Sequence, residues 1–123
     1  MAERAAIRRG QLHWVDWSPA RGSEPAGRRP ALVVQHDAGN LSPTYPNTIV
    51  VAVSRQGREV PQHVRLRASA RTGLRVTSFA KCEQMMTISK DRLSPSPIGR
   101  LDTRDMGEVD LALAMSLGLP IPE

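Results

Sequence analysis

The cationic side chains are the residues of this sequence best suited to chemistry on a polyanion. Lysine and arginine together number 17 against 12 aspartate and glutamate residues, giving a formal net charge of +5 and a sequence pI near 10.6. Lysine occurs only at Lys81 and Lys90, so arginine carries nearly all of the positive charge. A guanidinium is a planar fork that can hold two phosphate oxygens at once. The composition favours a nucleic-acid partner, although arginine is also common in proteins of some GC-rich genomes.

Aromatic side chains that could stack on bases are few. The sequence has two tryptophans, one tyrosine and one phenylalanine. These rings stand at Trp14, Trp17, Tyr45 and Phe79. Any base-stacking surface must therefore use one or more of these four positions.

The thiol and imidazole groups argue against a disulfide framework and a zinc site. Cys82 is the sole cysteine and can form no internal bridge. The three histidines, His13, His36 and His63, lack the spacing of zinc ligands. The sequence shows no signal-peptide run and nothing approaching the roughly 18 apolar residues of a membrane span. We therefore expect a reduced, cytoplasmic protein.

The elements that must position these residues are mostly short strands separated by turns. The first strand alternates, with Leu12 and Trp14 on one face and His13 and Val15 on the other. Apolar runs and turn residues predict strands at residues 11–17, 31–34, 48–53, 62–66, 75–85 and 98–101. Polar loops are predicted at residues 20–29 and 36–47. Without a repeat or linker, residues 1–123 are predicted to form one domain.

The C-terminal segment has a different periodicity. Asp102 is placed to cap a helix, and Gly118 followed by Pro120 is placed to stop it. Apolar residues recur between them at three- and four-residue spacing, at Met106, Val109, Leu113 and Leu117. A mainly β chain with one such helix predicts a small, curved barrel or half-barrel whose helix packs on the sheet.

Five segments, in this order, resemble the MazF/PemK family of endoribonuclease toxins. They are RGQLHWVDWSP, RGSEPAGRRPALVV, TIVVAVS, CEQMMTIS and DLALAMSLGL, and they run from Arg9 to Leu119. The resemblance implies a small SH3-like barrel of the MazF/PemK/CcdB toxin type that forms a homodimer. It also implies an RNA groove on the dimer, for which an antitoxin peptide competes.

The resemblance also implies an activity and the residues that carry it. Members of the family cut single-stranded RNA at short motifs without a metal or other cofactor, leaving a 2′,3′-cyclic phosphate and a 5′-hydroxyl. The family's essential arginine, before the proline of the RP pair, falls on Arg29. Its essential hydroxyl residue falls on Ser54, and its GSE glutamate falls on Glu24. Of these, the guanidinium suits stabilisation of phosphoryl charge, and the hydroxyl can donate to a phosphate oxygen or relay a proton.

Contacts to the rest of the RNA are expected from the surrounding polar and aromatic residues. These are Trp17, Arg21, Arg28, Arg55 and Gln84. The positive charge of the groove predicts an acidic antitoxin that folds as it binds. The histidines are expected to be peripheral, with His13 lining the groove or an interface.

The sequence leaves three points open. Free arginine is a poor base, so Glu24 either accepts the proton or only orients an arginine. Pro25 after GSE, Ser54 in place of threonine, and Met86 in place of a basic residue depart from the usual pattern, which leaves the activity and cut site undetermined. The alternative function is a toxin that binds nucleic acid or gyrase without cleaving RNA.

Overall fold

The computed structural model describes residues 4–17 and 27–121. Within them the elements are β1 Gln11–Asp16, β2 Arg28–Val33, α1 Asp37–Asn40, β3 Asn47–Ser54, β4 His63–Leu66, β5 Ser78–Ser89, a 3-10 turn at Lys90–Arg92, β6 Gly99–Arg100 and α2 Thr103–Leu117. The strands of these residues pair antiparallel in one sheet of order β4-β5-β3-β2-β1-β6. No helix of the described residues is long and apolar enough to cross a membrane.

Apolar side chains cover both faces of the sheet, because they alternate along each strand. On the face that carries α2, Leu12, Leu32 and Val51 are fully buried and are cross-strand neighbours. The second cluster, on the other face, contains Ile7, Val15, Trp17, Ala31, Val33, Val50, Ile88 and Leu93. We call these the helix face and the reverse face. The alternation predicted for the first strand is confirmed, with Leu12 in the first cluster and Val15 in the second.

Helix α2 begins and ends where the sequence predicted. The Asp102 carboxylate accepts a hydrogen bond from the Asp105 backbone N–H at 2.8 Å, which caps the first turn. Gly118 has a φ of +69°, the left-handed conformation that ends many helices. Val109 and Ala112 are buried against β4 and β5, whereas Leu117 is 56% exposed. The buried apolar stripe therefore ends before Leu117 and is shorter than the periodicity indicated.

The segment between β4 and β5 closes the curl of the sheet. The Arg100 backbone N–H donates to the Arg71 carbonyl oxygen at 2.9 Å, which joins this segment to β6. Gly73 has a φ of +70°, and a Cβ there would lie 2.2 Å from the Ile98 carbonyl oxygen. Only glycine fits this close approach. The sheet thus forms the curled half-barrel with a C-terminal helix that the sequence predicted.

Two local features differ from the prediction. A short helix, α1, occupies part of the predicted loop at residues 36–47, since side-chain hydrogen bonds organise it. The His36 Nδ1 atom accepts from the Ala38 backbone N–H at 2.9 Å, and the Thr48 hydroxyl donates to the Asn40 side chain at 2.7 Å. Strand β5 also continues beyond residue 85, to Ser89. Its pairing with β3 resumes at Met85, opposite Val51, because residues 82–84 form a bulge after Lys81, which pairs with Ala52.

Candidate active site

The C-terminal ends of β1 and β3 and the N-terminal end of β2 lie at the same end of the sheet. A pocket of about 350 Å³ opens there. Its lining comprises Trp14, Arg28, Arg29, Pro30, Val53, Ser54, Arg55, Gly73, Leu74, Arg75, Val76, Ser78 and Ile98. We call it the active pocket. Four of these residues are arginines, and none of the described lining residues is aspartate or glutamate. The pocket therefore has the charge expected of an anion-binding site.

Arg29 and Ser54 lie on neighbouring strands and both line the active pocket. The β2–β3 pairing ends with Ala31 opposite Ala52. Continuing this register by two residues would place Arg29 opposite Ser54. Directly opposite residues have Cβ atoms about 4.5 to 5.5 Å apart. Alternation places both side chains on the reverse face. A guanidinium and a hydroxyl are thus placed to contact one phosphodiester.

The same row of cross-strand neighbours continues beyond Ser54. Phe79 of β5 pairs with Ser54 on one side and with Arg65 of β4 on the other. The Arg65 guanidinium lies 5.5 Å from the centroid of the Phe79 ring. A Cβ at Gly57 would lie 2.2 Å from the ring, so the loop after Ser54 packs on Phe79. We call Arg29, Ser54, Phe79 and Arg65 the cross-strand row.

Trp14 provides an aromatic surface on the helix face of the active pocket. Its side chain is 37% exposed, and the Arg28 guanidinium lies 4.9 Å from its ring centroid. Trp14 pairs with Pro30 of β2, so Arg28 is its diagonal neighbour across the two strands. Both residues line the pocket. An indole face stacked with a guanidinium can bind a nucleic-acid base.

The predicted RNA contacts divide into those in the pocket and those outside it. Arg28 and Arg55 line it, as does Arg75, which is not among the predicted contacts. Gln84 lies in the β5 bulge and is outside the lining. Trp17 was expected to contact RNA, but it is 4% exposed and packs in the reverse-face cluster.

The alternation of side chains along β1 explains why Trp17 is buried and Trp14 is exposed. Both tryptophans are near the end of β1, but their side chains point to opposite faces of the sheet. Val15 and Trp17 share the face that Ile7 and Leu93 cover. In the sequence, the alternation at this strand end placed Trp14 on the same face as Leu12. It could not show which face of the sheet other parts of the chain cover at that end.

Two predicted site residues lie outside the described residues. These are Glu24, a candidate for proton transfer, and Arg21, a candidate RNA contact. Pro25, the departure after GSE, lies there too. The structural site therefore rests on Arg29, Ser54 and the pocket around them.

The histidines are in structural positions. His13 is fully buried and donates from Nδ1 to the Ser94 carbonyl oxygen at 3.0 Å, so the prediction that it lines the groove or an interface is wrong. Burial lowers the pKa of His13, opposed in part by this hydrogen bond, and the charge of Arg4 lowers it further. His36 caps α1, and His63 accepts from the Arg58 backbone N–H at 3.0 Å.

Neither a thiolate nor a metal cluster is found in the described residues. Cys82 is buried, and burial raises the pKa of its thiol to about 12, with Glu83 and Asp110 adding to the rise. A thiol of such high pKa is a poor nucleophile and metal ligand at neutral pH. No group of three or more histidine, cysteine, aspartate or glutamate side chains within residues 4–17 and 27–121 could hold a metal ion.

Comparison with known proteins adds to this geometry. Residues 8–117 match the family model of the PemK-like, MazF-like toxins of type II toxin–antitoxin systems. The chain is 42% identical over 116 residues to the endoribonuclease EndoA of Bacillus subtilis, a match covering 92% of this chain and 96% of EndoA. It is 38% identical over 117 residues to the endoribonuclease MazF9 of Mycobacterium tuberculosis, covering 92% of this chain and 98% of MazF9.

A solved structure supports the same assignment. The chain is similar, with a TM-score of 0.78 and 27% identity, to an endoribonuclease in complex with its cognate antitoxin from a mycobacterial species. The similarity covers 95% of this chain and 100% of that one. Because the family model spans most of the chain and relatives above 30% identity span nearly all of it, this chain belongs to the PemK-like, MazF-like family of toxins of type II toxin–antitoxin systems.

Proposed function

We propose that the chain, as one domain of residues 1–123, is an endoribonuclease toxin that cuts single-stranded RNA without a metal. The observation that carries the proposal is the placement of Arg29 and Ser54 on adjacent strands in one pocket rich in arginine. Its support is that relatives 38% to 42% identical are named endoribonucleases. The setting we propose is the cytoplasm, where single-stranded RNA is available.

The proposed reaction is attack of a ribose 2′-oxygen on the adjacent phosphorus. The 2′-oxygen–phosphorus bond forms, and the bond from phosphorus to the 5′-oxygen breaks. One proton leaves the 2′-hydroxyl and another is delivered to the 5′-oxygen, so the products are a 2′,3′-cyclic phosphate and a 5′-hydroxyl. Arg29 would bind the phosphoryl oxygens, on which negative charge increases in the transition state. Ser54 would donate to a phosphoryl oxygen or relay the proton to the leaving group.

A cleavage assay tests this proposal. Purified protein is incubated with single-stranded RNA in excess chelator, and the fragments are examined for cyclic phosphate ends. Arg29→Ala should abolish most of the turnover, whereas Arg100→Ala, an exposed arginine outside the active pocket, should leave it unchanged. Binding of RNA without any cleavage would instead identify a non-catalytic binding toxin.

A modified substrate tests the chemistry separately. An RNA carrying one deoxyribose on the 5′ side of the cut has no attacking hydroxyl, and it should resist cleavage at that bond only. The same RNA cut elsewhere serves as its own control. Cleavage at the deoxyribose would exclude internal 2′-oxygen attack.

Two partners belong to the proposal. We expect a homodimer, and an acidic MazE-like antitoxin that competes with RNA for the basic surface. The similar mycobacterial structure contains an endoribonuclease in complex with its cognate antitoxin. Native sizing tests the dimer, and displacement of labelled RNA by the antitoxin tests the competition.

A further inference from the structure

A second group of arginines lies outside the active pocket. Arg65, Arg67, Arg71 and Arg104 line a separate pocket of about 400 Å³ at the N-terminal end of α2. We call them the distal arginine cluster. Ser69, Thr72, Asp102, Asp105 and Glu108 complete the lining. The cluster is thus formed by β4, by the segment after it and by the first turns of the helix.

The segment that carries this cluster is well anchored. Thr72 is 4% exposed, and its hydroxyl donates to the Arg67 carbonyl oxygen at 2.9 Å. The Thr72 Oγ1 atom also accepts from the backbone N–H groups of Ser69 and Leu74, at 3.2 and 3.3 Å. The Arg71 carbonyl oxygen is held by β6, as described above. The arginines therefore project from a fixed backbone, which reduces the entropy cost of binding.

The cluster adjoins the active pocket by two routes. Thr72 lines the distal pocket and Gly73, the next residue, lines the active pocket, so one wall separates them. Arg65 belongs to the distal cluster and also ends the cross-strand row that begins at Arg29. Three strand spacings separate these two arginines, which is roughly 14 Å. That distance spans only a few nucleotides of an extended strand.

The charges of the distal pocket are only partly balanced. Arg71 donates to the Asp102 carboxylate at 2.8 Å, and Arg65 donates to Glu59 at 2.6 Å. Within residues 4–17 and 27–121, Arg67 and Arg104 form no ion pair. Both act electrostatically on Asp105, whose pKa is nevertheless raised by burial and by Asp102 and Glu108. Among the described residues, Arg67 and Arg104 are thus exposed at the pocket without an ion pair.

We propose that the distal arginine cluster binds backbone phosphates of the same RNA strand whose scissile bond lies at Arg29 and Ser54. It would act as a subsite that holds the RNA a few nucleotides from the cut. Taking RNA as the ligand rests on the proposed function. RNA is favoured over an acidic peptide because the cross-strand row leads from the active pocket to the cluster, with the Phe79 ring between them as in other strand-binding grooves.

A length-dependent binding assay tests the subsite. The probes are fluorescent oligouridylates of about four and about sixteen nucleotides, the range of site sizes in single-strand binding folds. The full chain carries Ser54→Ala, so binding is measured without cleavage. Arg67→Gln with Arg104→Gln should weaken binding of the long probe about fivefold and leave the short probe unchanged. The salt dependence of the long probe should become shallower, by about 1.4 in the log–log slope, for two lost phosphate contacts.

The matched control removes the same charge elsewhere. Arg8 and Arg58 are exposed and line neither pocket, so Arg8→Gln with Arg58→Gln should affect both probes equally and weakly. An equal loss of long-probe binding in this control would show that net charge alone matters, and would overturn the subsite. A polyglutamate peptide serves as a third probe. If Arg67→Gln with Arg104→Gln weakened binding of this peptide alone, the subsite would also be overturned, and an acidic protein partner would be identified instead.

The two proposals can fail separately. Length-dependent binding in a protein that cleaves no RNA would overturn the proposed function and support the subsite. Cleavage with no effect of Arg67→Gln and Arg104→Gln on the long probe would overturn the subsite alone. Because both side chains are exposed, thermal unfolding of the variants should match that of the parent.

Discussion

The active pocket and the distal pocket each contain four arginines, yet they differ in their acidic residues. The described lining of the active pocket has no carboxylate, whereas the distal pocket has three, at Asp102, Asp105 and Glu108. In the distal pocket the three carboxylates offset part of the positive charge of the arginines. This difference supports the proposals above, which assign cleavage to the first pocket and strand binding to the second.

The largest expected effect separates the two pockets by the geometry of the cation. Arg29→Lys should lower kcat about 100-fold, because a point charge cannot replace a fork that holds two phosphoryl oxygens. Arg67→Lys should leave kcat unchanged, since a backbone phosphate needs mainly charge. Single-turnover cleavage of one RNA by both variants measures this. Equal losses in the two variants would remove the distinction between the pockets.

A second test compares an exposed ring with a buried one. Trp14→Ala should raise KM about tenfold through the loss of base stacking, with little change in the free energy of unfolding. Trp17→Ala should lower the free energy of unfolding by leaving a cavity in the reverse-face cluster. Steady-state kinetics and urea unfolding on both variants provide the comparison. A tenfold KM change in a fully folded Trp17→Ala protein would contradict the assignment of the two rings.

A smaller effect sharpens the contrast in acidic residues. Asp105→Asn removes a negative charge from the distal pocket, so it should tighten binding of long RNA about twofold. Anisotropy with the long and short probes measures this, and the short probe should be unaffected. Tightening of both probes would show that the charge acts over the whole surface.

The same substitution should alter stability with a defined sign. The pKa of Asp105 is raised above its ordinary value of 3.8 by burial and by neighbouring carboxylates. The folded protein therefore loses stability as pH rises from about 3.8 through the folded pKa. The Asn variant should match the wild type in acid and be more stable by a few tenths of a kcal/mol at neutral pH. Urea unfolding at several pH values measures the difference.

The last expected effect arises outside both pockets, whose described linings contain no histidine. The pKa of buried His13 is lowered from 6.5. Its contribution to stability is therefore complete above pH 6.5 and is lost as pH falls from there through the folded pKa, by less than about 1 kcal/mol. NMR titration of the His13 imidazole and urea unfolding measure this. An imidazole pKa above 6.5 would contradict the burial argument.

Sequence patterns predicted the elements well where local physics decides them. The cap at Asp102 and the stop at Gly118 bound α2 as predicted, since both act within one helical turn. The strands were located by apolar periodicity, with errors at their ends. The bulge at residues 82–84 was missed because it depends on pairing β5 with both β3 and β4. Helix α1 was missed because long-range partners such as Thr48 support it.

The candidate site was predicted only in part for the same reason. The family resemblance indicated Arg29 and Ser54, which the structure brings to one pocket. It did not indicate the exposed Trp14, because which ring is covered depends on Ile7 and Leu93, remote in sequence from one another. The Phe79 and Arg65 neighbours of Ser54 follow from the strand register, which no local pattern of the sequence contains.

By itself the sequence determined an arginine-rich, mainly β chain with one capped helix and a recognisable set of toxin-family motifs. These properties depend on composition and on interactions within a few residues. Only the tertiary structure decided which arginines gather in each pocket and which tryptophan faces solvent. Such choices depend on strand order and on the curl that brings the β4–β5 segment to β6, and both are set by contacts between distant parts of the chain.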